Sequence, residues 1–150
     1  MKTDWNERFL DMAQLVSTWS KDPSTQVGAV TVDPIKRIVL STGYNGFPRG
    51  IEDDGRLDQR SEKLKLIIHG EMNAIFNATY SGVSLNNSHL FVYGLPVCSQ
   101  CAKGIVQVGI TDVWIRVADP EKCSTGMWAE EWNSTKKIFN EAGVTWYGWQ

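Results

Sequence analysis

The chain has 150 residues, one ordinary domain by length, and its 42% hydrophobic content supplies a core without disulfide staples. Fifteen Lys+Arg against 17 Asp+Glu leave a net charge of −2, which excludes a broad basic face of the kind that holds polynucleotides by neutralising phosphates. Three Cys and two His are an odd and sparse set, which fits a reducing compartment and confines any thiol or metal chemistry to very few residues.

Trp5, Phe9, Met12, Val16 and Trp19 recur at steps of four and three, an apolar stripe on one face of a helix over about 4–20. Trp5 and Trp19 on that stripe belong to a core or a subunit contact. Asp22-Pro23 ends the helix, because proline neither continues it nor lets the preceding residue do so. Residues 26–32 (QVGAVTV) suit a buried strand, Asp33-Pro34 a turn and 37–42 (RIVLST) a returning strand, together a β-hairpin. Residues 43–50 (GYNGFPRG), with three Gly and a Pro, form a loop of unusual backbone angles. The charged stretch 52–65 suits a lid-like or partly helical segment. Beyond it the pattern predicts a helix over 70–81, a strand over 89–93, a helix over 98–108 and a strand over 112–117. A last helix over 128–142 is stopped by Gly143. This alternation implies a mostly parallel sheet with helices on its faces. No repeat, low-complexity tract or linker divides the chain, so 1–150 reads as a single domain.

Asp4, Glu7 and Asp11 interrupt the first apolar stretch, which lacks the run of about 7–15 apolar residues of a signal peptide. No window approaches the roughly 20 apolar residues of a membrane span. The expectation is a cytoplasmic protein (host cytoplasm if the source is viral) without membrane contact.

His69-Gly70-Glu71 and, 27 residues on, Cys98-Ser99-Gln100-Cys101 carry the chemistry. One His and two Cys are borderline-to-soft ligands that suit zinc, and three protein ligands leave the fourth tetrahedral position open, as in catalytic sites. An open position admits water, whose pKa zinc lowers to roughly 7. Both pieces fall where an apolar strand gives way to a helix, and the helix N-terminus favours thiolates. Glu71 reaches the same cavity without being a ligand and can accept and return a proton. Two other readings compete: a redox dithiol at Cys98 and Cys101, which leaves His69 and Glu71 idle, and a structural zinc site, which needs Cys123 or His89 as a fourth ligand. Catalytic zinc uses all four residues.

The H-x-E and C-x-x-C pieces form the signature of zinc nucleobase deaminases. With DPSTQVGAV (22–30), GYNGFPRG (43–50), IHGEMNAI (68–75) and CSQCAKGI (98–105), the chain resembles the deoxycytidylate (dCMP) deaminase group of the zinc-dependent cytidine/deoxycytidylate deaminases over about residues 5–144. The resemblance implies a three-layer α/β/α fold, with a central mixed five-stranded sheet and helices on both faces. It implies hydrolysis of dCMP to dUMP and ammonia, with Glu71 protonating N3 and then the departing amine. Gly70 would offer its backbone N–H to the base carbonyl and Asn45 would meet the deoxyribose hydroxyl. Ser24 is a candidate for a phosphate or base contact, or else a turn side chain bonded to its own backbone. Many members are hexamers activated by dCTP with Mg²⁺ and inhibited by dTTP. Tyr44, Gly46 and Arg49 lie in the loop associated with that effect, though Arg49 also reads as an ordinary solvated loop arginine, and Tyr44 and Phe47 as interface residues. Two departures stand out: Gly70 occupies a position usually Ala, and Pro96-Val97-Cys98 sets the proline one place back from the first cysteine. A deaminase of another cytosine or adenine substrate and a non-catalytic zinc or nucleotide sensor are the alternatives. Trp146, Tyr147 and Trp149 either close over the nucleotide or pack on a sheet edge, packing being the better account of so much aromatic area.

Overall fold

The computed structural model describes residues 4–150. The apolar stripe folds as α1 (Trp5–Ser17), capped by the Asp4 carboxylate, which accepts the Asn6 N–H at 2.9 Å. Phe9, Leu10, Ala13 and Val16 of α1 pack on Val30, Val32 and Phe91 of the sheet, with Trp5 partly buried at the margin. The helix stops before Trp19. Trp19 is 50% exposed and meets Tyr44 edge-on, so of its two expected places, core or subunit contact, it does not take the core.

The hairpin is β1 (Gly28–Asp33) and β2 (Ile38–Tyr44), and β3 (His89–Gly94), β4 (Asp112–Val117) and β5 (Thr145–Tyr147) complete a sheet of order β2-β1-β3-β4-β5. β1 is antiparallel to both β2 and β3, whereas β3–β4 and β4–β5 are parallel. The sheet is therefore mixed. Alternation of strands and helices alone points to a mostly parallel sheet because it overlooks the hairpin, whose tight turn reverses the chain, while parallel neighbours need a helical crossover.

The charged segment holds a single 3₁₀ turn, Gly55–Asp58, and α2 (Arg60–Leu66). α3 (Gly70–Tyr80), α4 (Ser99–Gln107) and, after the short α5 (Pro120–Cys123), α6 (Gly126–Ala142) follow. Ala74, Ile75 and Ala78 of α3, Ala102 and Ile105 of α4 and Phe139 of α6 form one core with Ala29, Leu90, Val92 and Val113. Leu90 and Val92 join that core while Phe91 between them joins the α1 core. The central strand is apolar throughout because both of its faces are covered. The three layers are α1, the sheet, and the α3–α4–α6 side.

β5 is too short for its alternation to be read in the sequence. Its Trp146 packs against Trp132 and Phe139, and Tyr147 stacks on Trp114 at 4.2 Å, so the C-terminal aromatics close the sheet edge. Gly143 caps α6 in the left-handed conformation, at φ 79°. Two glycines set layer spacing: a Cβ at Gly28 would collide with the Ala13 carbonyl of α1, and one at Gly43 with the Ala74 nitrogen of α3. Among the described residues no helix is long and apolar enough to cross a membrane.

Candidate active site

α3 and α4 start at neighbouring points, and their N-caps supply two of the metal-type donors. His69 (φ −66°, ψ 151°) and Cys98 (φ −78°, ψ 165°) are both extended, which turns their side chains back across the helix starts. Cys98 Sγ accepts the Cys101 N–H at 3.4 Å. His69 Nδ1 lies 3.3 Å from Cys98 Sγ and 3.4 Å from Cys101 Sγ. Ligands on one tetrahedral zinc, with bonds of about 2.0–2.3 Å, stand roughly 3.5–3.8 Å apart; the two nitrogen–sulfur distances are close to that, and all three donor atoms lie within 4.8 Å of one another, so the set fits one ion. Among the described residues the cluster comprises His69, Cys98 and Cys101 alone. His89 instead faces Asp112 at 3.2 Å, and Cys123 is buried on α5, so the fourth ligand of a structural site is missing.

Contact between the two thiols splits their titration. The hydrogen bond with Cys101 draws Cys98 down to about 4, helped by His69 and opposed by burial, while the same contact and burial push Cys101 up. The Cys98 hydrogen bond raises His69 to about 9. Glu71, in the first turn of α3, is only 4% exposed. Burial pushes its carboxyl above the ordinary range against the pull of His69. A carboxyl so placed is suited to hold a proton and pass it on.

His69, Glu71 and Cys98 open onto a cavity of about 300 Å³, at the lower end of the range for small-molecule sites. Arg60 and Lys63, three apart on α2, line the same cavity. Neither was singled out in the sequence. The available signal was their i, i+3 spacing shortly before His69, which places two cations on one helix face. Lys63 Nζ lies 3.1 Å from Asp22 Oδ1 and donates to Ser24 Oγ at 2.8 Å. Burial raises the Asp22 carboxyl, but hydrogen bonds from the Ser24 backbone, Lys63 and the Ser24 hydroxyl outweigh it and hold the group below its ordinary value. A larger cavity of about 640 Å³, walled by Trp5, Arg37, His89 and Trp114, shares no residue with this one.

The remaining predicted residues divide into those that line the cavity and those that do not. Gly70, Asn45 and Ser24 line the cavity. Asn45 is buried and already engaged: its Oδ1 accepts the Val27 N–H at 2.8 Å and its Nδ2 donates to the Thr25 carbonyl at 2.9 Å. Ser24 donates to Asp22 Oδ1 at 3.0 Å, so the turn bonding and the cavity position coexist. Gly46 pairs with Ile68 through both backbone groups, at 3.1 and 2.8 Å, and so ties the loop to the residue before His69. The Tyr44 carbonyl accepts from Asn73, while the ring is 40% exposed. Arg49 donates to Asn77 Oδ1 and stacks over Tyr80, with its guanidinium 4.5 Å from the ring centre. Tyr44, Gly46 and Arg49 do not line the cavity.

The chain is similar to known proteins. The family model for the cytidine and deoxycytidylate deaminase zinc-binding region matches residues 3–117. An uncharacterized deaminase from Aliivibrio fischeri is 39% identical over 150 residues, with 97% of this chain and 95% of that protein covered. Human deoxycytidylate deaminase is 37% identical over 148 residues, covering 95% of this chain and 78% of that one. In fold, the dCMP deaminase of cyanophage S-TIM5, solved with dCMP and dUMP, superposes with a TM-score of 0.73 at 23% identity, covering 98% of each chain. With the zinc-type donor cluster and the buried glutamate in place, the chain belongs to the zinc-dependent cytidine/deoxycytidylate deaminases and is an enzyme of that family.

Proposed function

We propose that the enzyme hydrolyses dCMP to dUMP and ammonia. The observation that carries this reading is the single cavity that joins His69 and Cys98 of the zinc-type cluster and Glu71 to the cation Arg60, beside the Asp22–Lys63 pair. A nucleoside monophosphate has both ends such a cavity answers, a base to react and a phosphate to anchor. Similarity to human deoxycytidylate deaminase supports the same substrate.

His69, Cys98 and Cys101 would hold zinc, which would supply the acidity that makes water nucleophilic at neutral pH. The chain's own residues do the rest. Glu71 takes the proton from that water and delivers it to N3 of the base as oxygen adds at C4. The Glu71 carboxylate then takes the proton of the new C4 hydroxyl and passes it to the amino group, the C4–N bond breaks, and ammonia leaves as the C4 carbonyl forms. The Gly70 N–H orients the base through its carbonyl. Asn45, held by Val27 and Thr25, contacts the deoxyribose, Ser24, held by Lys63, lies toward the phosphate, and Arg60 balances its charge.

Regulation by dCTP with Mg²⁺ and by dTTP belongs to the same proposal. Arg49 supports it, because its partners Asn77 and Tyr80 are neutral and leave its charge available to a phosphate. Assembly into a homo-oligomer, a hexamer on the resemblance, is supported by exposed apolar side chains on neighbouring elements: Phe76 and Tyr80 of α3 and Ile38 and Val39 of β2. A cytoplasmic location and indifference to polynucleotides complete the reading.

A panel of dCMP, CMP, deoxycytidine, dCTP and oligonucleotides, followed as loss of cytosine absorbance, tests the substrate. dCMP is expected to react best, and reaction of nucleosides or oligonucleotides in its place would overturn the assignment. Glu71→Gln is expected to keep zinc and lose about 10²–10⁴-fold in turnover; near-normal turnover would remove the proton shuttle. Flat responses to added dCTP and dTTP would remove the regulation.

A further inference from the structure

α6 touches the metal-ligand segment at two points one turn apart. The Thr135 hydroxyl donates to the Val97 carbonyl at 2.8 Å, and the Ser99 backbone N–H donates to Glu131 Oε2 at 2.8 Å. Val97 and Ser99 are the residues on either side of Cys98. Glu131 and Thr135 lie four apart on α6 and therefore share a face. Thr135 is fully buried, so its hydroxyl has no water to turn to. Neither bond belongs to the regular hydrogen bonding of α4: the Val97 carbonyl precedes the helix, and the Ser99 N–H is one of the unpaired donors of its first turn. Proline rigidity does not reach Cys98 either, because Pro96 restricts its own φ and the residue before it, leaving Val97 free to rotate.

We propose that Glu131 and Thr135 are positioning residues for the zinc site. They clamp the backbone on both sides of Cys98 and set the direction of its Sγ toward His69. Metal ligands are held in direction by outer partners of this kind, whose loss typically costs about 10–100-fold in metal affinity. The clamp rests on the reading of His69, Cys98 and Cys101 as zinc ligands.

The test is zinc affinity of the full chain, measured by competition with a chromophoric chelator, together with the thiolate-to-metal absorption of the cobalt(II)-substituted protein. Thr135→Val and Glu131→Leu are each expected to weaken zinc binding about 10–100-fold and to shift the cobalt spectrum, as loss of an outer partner does. Thr135→Ser keeps the hydroxyl and Glu131→Gln keeps an acceptor oxygen, so both are expected to restore binding. Circular dichroism of the metal-free proteins separates loss of fold from loss of aim. Should Thr135→Val fail to fold, Glu131→Leu, at a half-buried position, carries the test. Folded variants that bind zinc as the parent does overturn the clamp, as does failure of the Ser and Gln variants to rescue. A parent protein that takes up no zinc overturns the zinc reading itself and the clamp with it.

Discussion

The two faces of the sheet are held by different forces. On one face α1 rests on Val30, Val32 and Phe91 through apolar contact, and the polar ties to the sheet come from Arg116 at the rim. Its partners Glu7 and Asp11 are 63% and 73% exposed. On the other face α3 is stapled by directed bonds: Ser41 to the Ala74 carbonyl at 2.8 Å, Asn73 to the Tyr44 carbonyl at 2.8 Å and Asn77 to the Thr42 carbonyl at 2.7 Å. A buried ion pair, Asp22 with Lys63, lies on the wall of the cavity that α3 serves. Apolar burial is non-directional and tolerates small displacements. A metal and proton-transfer site needs its groups placed to within about 0.5 Å, which directed bonds supply. The face that carries His69 and Glu71 is the one that has them.

Substitutions in matched pairs can break this contrast. The largest expected loss of stability is from Lys63→Met, which leaves the Asp22 carboxylate buried without its cation. Denaturant unfolding should show a loss toward the lower end of about 3–5 kcal/mol, because the Ser24 and Thr25 N–H groups still bond that carboxylate. The same pair gives a pH signature. The folded Asp22 carboxyl titrates below its ordinary value. Its contribution is therefore complete above the unfolded pKa of about 3.9 and disappears as pH falls through the lower folded value. Asp22→Asn should lack that acid-side loss, and an unchanged acid limb in the variant would assign the loss to other carboxylates.

Next come Gly28→Ala and Gly43→Ala, each expected to cost about 1–3 kcal/mol or more by forcing a helix off the sheet. Only Gly43→Ala, against α3, should also weaken zinc binding. Equal effects on zinc from both would erase the distinction between the faces. The smallest effect belongs to Arg116→Ala, below about 1 kcal/mol, since its ion pairs are exposed at the carboxylate end. A loss as large as that from Lys63→Met would mean that α1 depends on directed bonds as well.

Much of the site was legible in the residues because it is local. His69 with Glu71, and Cys98 with Cys101, each sit within one helical turn, so spacing alone brings them to a helix start. The helix stop at Gly143 and the hairpin around Asp33-Pro34 are equally local, whereas α1 ends at Ser17, ahead of the expected stop at Asp22-Pro23. Arg60 and Lys63 were not singled out, because two cations in a charged segment look like solvent-facing residues until a cavity is seen beside them. Asn45 shows the reverse: it lines the cavity, yet its amide is also occupied in holding the loop to Val27 and Thr25, bonds that its sequence neighbours do not announce. Trp19 continues the α1 stripe in sequence but falls beyond the last helical residue, so periodicity placed it on a face that the helix does not extend to.

By itself the sequence determined the His/Cys/Cys set, the glutamate beside it and the element that presents each of them, since these depend on residue type and spacings of a few positions. Tertiary structure alone decided three other things. It brought the His69 ring at the start of α3 to 3.3 and 3.4 Å from the two sulfurs at the start of α4, joined α2 cations to the same cavity, and set α6 against both neighbours of Cys98. Each of these depends on where distant segments cross. Those crossings follow from sheet order and from the close approaches at Gly28 and Gly43, not from any local pattern.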